Sequence, residues 1–258
     1  MKIHGANPGS VHAIVPVKVL RKSKTRLSSI LQPKERTELT IAMLMDVLSA
    51  LRKSRMIDSI IVVSADRNVL KLGRQLGANS LREEPRRGLN NAINQAIHKH
   101  KWENSTVLVV HADLPLLTCK EVNTFLREAQ GCPIAIARSK DETGTNAMVV
   151  NPAQVIRPAF GKGSYKRHIS IFHRTKLQFK VQRIQGFGFD IDEPKDLLEL
   201  MRHKARNNTA RFLRAIRERD FQKVLSYTQD STGLRMAPKS SIEREPEKTV
   251  PVFVFARG

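Results

Sequence analysis

The sequence of 258 residues lacks the features that mark membrane, secreted and disulfide-stabilised proteins. Its apolar runs are the length of a strand, well short of the ~20 residues that span a bilayer. Its two cysteines, Cys119 and Cys132, do not have the paired spacing of a metal or redox motif. Residues 1–10 do not show the charged and then apolar pattern of a signal peptide. We therefore expect a cytoplasmic protein with no membrane partner.

Aromatic residues are also scarce, at 5%, and acidic residues are greatly outnumbered by basic ones. The 45 lysines and arginines against 24 aspartates and glutamates give a formal charge of +21. This excess favours an anionic ligand such as nucleic acid, an acidic membrane surface or a phosphorylated small molecule. Residues 201–258 hold 13 basic and 6 acidic residues, a net charge of +7, so most of the excess belongs to the rest of the chain.

The apolar pattern predicts strands that alternate with helices. Residues 12–17, 58–64 and 106–111 are apolar on both faces, which is typical of strands buried between helix layers. Pro33 opens a long helix whose apolar stripe consists of Leu39, Met43, Val47 and Leu51. Further helices are expected near residues 68–76 and 89–100 and from Pro194, and further strands at 133–137, 147–150 and 177–184. We predict an α/β fold with a mostly parallel sheet flanked by helices.

The chain divides into a main domain with two flanking segments. Residues 1–10 form a lead-in, residues 11–205 the main domain, and residues 206–258 a basic C-terminal extension. Within the extension we expect a charged helix over 210–225 and disorder over 229–249, which is rich in Ser, Pro, Lys and Glu. Residues 250–255, VPVFVF, could add an edge strand to this or another subunit.

Polar clusters follow the predicted strands, where ligands of open parallel sheets bind. Five basic residues fall within nine positions from Lys18 to Arg26, and this crowding favours a phosphate cradle over a solvated loop. Asp113 follows the strand 106–111 and is either a hard-cation ligand or part of a turn. Asp190 and Asp192 lie two residues apart, as for metal ligation or helix capping, and capping explains Asp192 better than Asp190.

Two loops of small residues, 144–146 and 160–164, can direct backbone N–H groups at an anion, and Ser164 could cap a helix over 165–173. The nearby histidines His12, His111 and His168 have no carboxylate or cysteine at the spacing of a triad or a zinc site. We expect Trp102 to pack at a helix end.

Six motifs occur in order between residues 15 and 197: VPVK-x5-KTRL, GLNNAI, ADLPLL, GTNAM, FGKGS-x2-RH and FDIDEP-x-DL. Together they resemble the 2-phospho-L-lactate guanylyltransferase family of coenzyme F-420 biosynthesis. The resemblance implies a nucleotide-diphospho-sugar transferase-like (Rossmann-like) fold. It also implies an enzyme that transfers GMP from GTP to a phosphorylated three-carbon acid and releases pyrophosphate, with Mg²⁺ as cofactor. We also expect a homodimer.

The resemblance assigns a role to each motif in turn. The residues that would hold the GTP phosphates are Lys18, Lys24 and Arg26. Those that would lie along the nucleotide are Gly88, Leu89 and Asn90. Those that would hold magnesium are Asp113, Asp190 and Asp192. Those that would bind the phosphate of the acceptor are Thr145, Gly161 and Ser164. Catalysis would be electrostatic and would depend on Lys18, Lys24, Arg26 and Asp113.

Two features depart from the family pattern: Ser23 stands where alanine is expected, and residues after about 210 have no counterpart. A competing hypothesis is a basic nucleic-acid-binding protein, with a helical face formed by Arg206, Arg211, Arg214 and Arg217. The scarcity of aromatics and the unexplained acidic residues count against it. Two further alternatives are a nucleotide sensor, against which the presence of all three acidic residues counts, and a nucleotidyltransferase with a different acceptor, against which GTNAM and FGKGS favour a small phospho-acid. The sequence leaves open whether the acid is phospholactate, phosphoenolpyruvate or phosphoglycerate.

Overall fold

The computed structural model describes residues 9–84 and 88–216, which contain a seven-stranded sheet. In chain order its strands are β1 (Val11–Pro16), β2 (Ser59–Ser64), β3 (Asn79–Arg82), β4 (Thr106–Val110), β5 (Ile134–Arg138), β6 (Thr145–Val150) and β7 (Phe179–Gln182). Their order across the sheet is β3-β2-β1-β4-β6-β5-β7. All neighbours pair in parallel except β6, which is antiparallel to both β4 and β5. The prediction of a mostly parallel sheet is confirmed.

The helices in chain order are α1 (Pro33–Arg52), α2 (Arg67–Gln75), α3 (Gly88–His100), α4 (Cys119–Ala129), α5 (Ser164–Arg174), α6 (Gln185–Gly188) and α7 (Pro194–Arg202). Residues 208–216 are also helical. Consecutive strand residues enter opposite cores: Ala13 packs with α1 and α4 on one face, and Ile14 with α3 and α5 on the other. This burial on both faces explains why the strands are apolar throughout.

The helix predicted from Pro33 is confirmed, and all four residues of its apolar stripe are buried. Trp102 packs two residues beyond the end of α3 as expected, with its ring stacked on His12 at 4.2 Å between centroids. The sequence analysis did not predict β3 or α4. β3 is a short edge strand in which only Leu81 is buried, so it has no apolar run. The start of α4 does have a sequence signal, the capping box of Thr118 and Glu121.

The antiparallel strand β6 was not distinguished from its parallel neighbours in the sequence. Its first residues lie beside the end of β4, with Ala147 paired to Val110. Polar residues at the start of β6 therefore reach the same sheet edge as those that follow β1 and β4. Among the described residues no helix has the length and apolar content needed to cross a bilayer.

The packed region continues past residue 205, the boundary that we predicted between the main domain and the C-terminal extension. The 208–216 helix buries Ala210 and Leu213, and Leu213 contacts a cluster that contains Leu39 of α1 and Leu197 of α7. The described part of the chain ends at residue 216, so the expectations for 229–249 and 250–255 lie outside it.

Asp46 of α1 anchors this last helix. Its carboxylate accepts four hydrogen bonds, from the backbone N–H and side chain of Asn208 and from the backbone N–H and hydroxyl of Thr209, at 2.6–2.9 Å. The carboxylate thus lies against the N-terminus of the helix, where its charge is favourable. Asn207 caps the helix by accepting from the N–H of Ala210 at 2.9 Å.

We expect Asp46→Ala to lower the free energy of unfolding by about 2 to 4 kcal/mol, because it leaves four donors without an acceptor. Urea denaturation measures this change. Glu38→Gln on the same helix is the control, since Glu38 makes an exposed ion pair with Lys34 at 4.0 Å and should cost less than about 1 kcal/mol. Equal stability of the two variants would contradict the anchoring role of Asp46.

Candidate active site

The candidate site lies at the carboxyl ends of β1 and β4. The chain continues from β1 to β2 and β3 on one side, whereas β4 pairs with β1 on the other side. Loops that follow two such strands diverge and leave a crevice, which is where open α/β sheets bind ligands. The loop after β1 carries Lys24, and the loop after β4 carries Asp113.

The Lys24 ammonium joins two of the predicted acidic residues. Its Nζ is 2.5 Å from Oδ2 of Asp113 and 2.9 Å from Oδ1 of Asp192. The Lys24 side chain is only 8% exposed, and its backbone has a φ of 50° in the left-handed region. Burial by itself would lower the pKa of Lys24, but the charges of Asp113 and Asp192 raise it above its usual value. The ammonium therefore stays charged.

The Asp113 side chain is 26% exposed, less than the 49% of Asp192. Burial disfavours its charged form, but Lys24 outweighs burial and keeps the pKa of Asp113 below its usual value. Its Oδ1 is buried and has no hydrogen-bond partner among the described residues. The carboxylate therefore has one atom neutralised by Lys24 and one atom available to a further ligand.

Asp190 has the opposite electrostatic character. Burial and then the charge of Asp113 raise the pKa of Asp190 to about 7. Its Oδ1 accepts a hydrogen bond from Nδ2 of Asn146 at 3.0 Å, and the same amide also donates to the backbone oxygen of Phe187 at 2.9 Å. Asn146 at the start of β6 thus orients Asp190 towards the crevice.

Asp192 does not cap α7, contrary to the capping role considered from the sequence. Glu193 is the residue before Pro194, and the carboxylate of Asp196 accepts from the backbone N–H groups of Asp192 and Glu193 at 2.9 and 2.7 Å. The side chain of Asp192 is thereby left to pair with Lys24. Within the described residues, no three histidine, cysteine, aspartate or glutamate side chains are placed to hold a metal by themselves.

The other predicted basic residues lie at the open side of the crevice. Lys18 is exposed two residues after β1 ends. Arg26 is 64% exposed, with Nη1 at 3.9 Å from Asp192 and 3.8 Å from Glu193. Both side chains can therefore reach a ligand that enters from solvent.

Thr145 and Ser164, predicted to bind the acceptor phosphate, are both buried. The Ser164 hydroxyl oxygen accepts from the backbone N–H of Thr145 at 2.9 Å. Ser164 is the first residue of α5 and does not cap it, because Gly163 occupies the cap position. Gly161 is exposed at a φ of 122°, which favours glycine. The backbone N–H of Ser164 in turn donates to the oxygen of Gly161 at 2.9 Å, so the N–H groups of both residues are used within the protein.

The residues predicted to lie along the nucleotide form the start of α3. Gly88 is exposed, and Leu89 packs partly against the core on the α3 side. Oδ1 of Asn90 accepts from the backbone N–H of Phe160 at 2.8 Å, and its Nδ2 donates to the Phe160 oxygen at 3.1 Å. The amide of Asn90 thus holds the loop before α5.

The sequence analysis missed the roles of Asn146 and His168. Asn146 lies inside the GTNAM motif beside Thr145, and that position was its only signal. His168 is buried, with Nδ1 3.0 Å from the Thr145 hydroxyl and Nε2 accepting from the backbone N–H of Ala159 at 3.0 Å. Burial lowers the pKa of His168 to about 4, so the imidazole is neutral and structural.

The chain is similar to known nucleotidyltransferases in sequence and in fold. It is 38% identical to a phosphoenolpyruvate guanylyltransferase from Sphaerobacter thermophilus, over 74% of this chain and 92% of the relative. It is 32% identical to a 2-phospho-L-lactate guanylyltransferase from Methanobrevibacter smithii, over 80% of this chain and 91% of the relative. A solved nucleotidyl transferase from Methanothermobacter thermautotrophicus has the same fold, with a TM-score of 0.55, 14% identity, and coverage of 80% of this chain and 99% of that one.

The family comparison agrees with these similarities. Residues 11–230 match the family described as "Guanylyl transferase CofC like". This range includes every predicted site residue. The crevice of Lys24 and its acidic partners lies within this matched region. The chain therefore belongs to the CofC-like guanylyl transferase family.

Proposed function

We propose that this protein transfers GMP from GTP to a phosphorylated three-carbon acid and releases pyrophosphate. The observation that carries the proposal is the pairing of the buried Lys24 ammonium with Asp113 and Asp192, beside Asp190, in the crevice between β1 and β4. The two relatives described above are named for this reaction with different acids, phosphoenolpyruvate and 2-phospho-L-lactate. The family resemblance places the reaction in coenzyme F-420 biosynthesis.

The reaction brings two polyanions together, so its main barrier is electrostatic. A phosphate oxygen of the acid attacks the α-phosphorus of GTP and forms a new P–O bond. The bond from the α-phosphorus to the bridging oxygen breaks, and pyrophosphate leaves with that electron pair. Lys18, Lys24 and Arg26 would hold the triphosphate in line and offset its charge as the transition state forms.

The acidic residues suit a magnesium ion whose other ligands would be substrate phosphate oxygens and water, since no three described side chains are placed to hold one by themselves. Oδ1 of Asp113 is buried without a partner among the described residues, and carboxylate oxygens are the donors that Mg²⁺ prefers. Asp113, Asp190 and Asp192 would hold the ion, and the raised pKa of Asp190 means that this carboxyl becomes ionised when a cation binds beside it. Bound Mg²⁺ would supply charge stabilisation at the phosphates.

The loop before α5 would bind the phosphate of the acid. Among the described residues, no hydrogen bond uses the backbone N–H groups of Gly161, Lys162 or Gly163. These groups precede the first turn of α5, where the helix dipole favours an anion.

We propose further that the enzyme acts as a cytoplasmic homodimer. Any binding of nucleic acid by its basic surface is secondary to the transfer of GMP.

A pyrophosphate-release assay tests the function directly. The purified full-length protein is mixed with GTP, Mg²⁺ and, in turn, phosphoenolpyruvate, 2-phospho-L-lactate and 3-phosphoglycerate. We expect release that depends on GTP and on one of these acids, and mass spectrometry should show the guanylylated acid. Release with none of the acids, or equal release with CTP or ATP, would contradict the proposed guanylyl transfer.

We expect Asp113→Asn to lower kcat at least about a hundredfold, because it removes a ligand charge worth several kcal/mol at the transition state. Steady-state kinetics at saturating GTP and acid measure the loss. Glu38→Gln, an exposed change on α1, should leave kcat unchanged. Turnover by Asp113→Asn within a few fold of the wild type would remove Asp113 from the catalytic site.

We expect Lys24→Met to lower kcat/KM for GTP by about a hundredfold, because the variant keeps most of the side-chain length but loses the charge that the triphosphate would meet. Lys34→Met is the matched control, since Lys34 is 86% exposed on α1. Initial rates over a range of GTP concentrations distinguish the two variants. An unchanged GTP dependence in Lys24→Met would mean that Lys24 serves only to neutralise Asp113 and Asp192.

A further inference from the structure

The loop before α5 has an unusual pattern of hydrogen bonds at Ala159 and Phe160. Neither residue lies in a helix or strand, yet each backbone N–H and C=O group is bonded to a side chain. His168 accepts from the N–H of Ala159 at 3.0 Å, and Nη1 of Arg167 donates to the Ala159 oxygen at 2.9 Å. Asn90 accepts from the N–H of Phe160 at 2.8 Å and donates to its oxygen at 3.1 Å.

Asn90 differs from the other two side chains in its position in the chain. Arg167 and His168 belong to α5, which directly follows the loop, whereas Asn90 belongs to α3 and is 70 residues away. Of the side-chain hydrogen bonds to Ala159 and Phe160, the two made by Asn90 are therefore the ones that join distant parts of the chain. They join the start of α3, which holds the predicted nucleotide residues Gly88 and Leu89, to the loop that precedes Gly161 and Ser164.

We propose that Asn90 is a positioning residue for the acceptor acid and does not act as a nucleotide contact. The assignment rests on the proposed function, in which the loop 161–164 holds the phosphate of the acid. Both polar atoms of the Asn90 amide face the Phe160 backbone, so its contribution reaches the acid through the loop.

The packing of Phe160 explains why the position of the loop matters. The Phe160 ring is 4% exposed and contacts the rings of His111 and His168, with centroids 5.3 and 5.2 Å apart. His111 is two residues before Asp113. A shift of the Phe160 ring would therefore disturb the loop that carries Asp113 as well as the loop before α5. Misplacement of a bound group by about 1 Å is enough to reduce a rate about a hundredfold.

Steady-state kinetics of Asn90→Ala separate the two roles. We expect KM for the acid to rise about tenfold or more, with KM for GTP within about twofold of the wild-type value. Gln154→Ala is the control, because it removes another hydrogen bond made by a side-chain amide, 2.9 Å from Gln154 to Asn104. This bond lies where β4 begins and β6 ends, at the opposite end of these strands from the candidate site. A raised KM for GTP with an unchanged KM for the acid would overturn the proposal.

A double mutant tests whether Asn90 acts through the loop. Gly161→Ala strains the loop because Gly161 has a φ of 122°, and it should also raise KM for the acid. We expect the effects of Asn90→Ala and Gly161→Ala to be less than additive in the double mutant, since both displace the same segment. Additive effects would mean that Asn90 acts independently of the loop and would overturn the proposal.

Hydrogen exchange gives a readout that does not depend on activity. In Asn90→Ala, the amides of Ala159 and Phe160, which are hydrogen-bonded in the wild type, should exchange faster, whereas those of β1 and β4 should be unchanged. Unchanged exchange in the loop would overturn the role of Asn90 whatever the kinetics. An inactive wild type would overturn the proposed function and with it the link to the acid, and exchange would then still report whether Asn90 holds the loop.

Discussion

Charge compensation by Lys24 is the interaction on which the candidate site depends. Asp113, Asp190 and Asp192 are brought into one crevice, where like charges would repel at short range. The ammonium of Lys24 lies between Asp113 and Asp192 in ion-pair contact with both, and it keeps the pKa of Asp113 below its usual value. The cost is a non-glycine residue in the left-handed region, a conformation that persists because two ion pairs hold it.

The same arrangement gives the acidic residues different properties. Asp113 has a lowered pKa because Lys24 outweighs the effect of burial. Asp190 is half-buried near the charge of Asp113, makes no ion pair with a lysine among the described residues, and its pKa rises to about 7. The magnesium ion proposed above would therefore meet one carboxylate with a lowered pKa and one whose pKa is raised to about 7. Binding of that ion would favour the ionised form of Asp190.

The reversal of β6 brings the two halves of the site together. Because β6 runs antiparallel to β4, its first residues lie beside the end of β4, and Asn146 can orient Asp190. The 208–216 helix adds a further link, since its cap residue Asn207 donates to the oxygen of Pro115, two residues after Asp113. Elements far apart in the chain therefore support one loop of the crevice.

The amino-acid sequence was enough to predict the α/β class, most of the strand positions and the charged residues of the candidate site. Apolar runs and a proline at a helix start are local signals, and motif order carried the resemblance to the family. Three features could be seen only in the folded chain. Strand β6 is antiparallel, Asp192 pairs with Lys24 and does not cap α7, and the amide of Asn90 bonds to Phe160. Those features depend on contacts between residues far apart in the chain, 168 positions in the case of Lys24 and Asp192, and hydrophobic periodicity over a short window carries no information about such contacts.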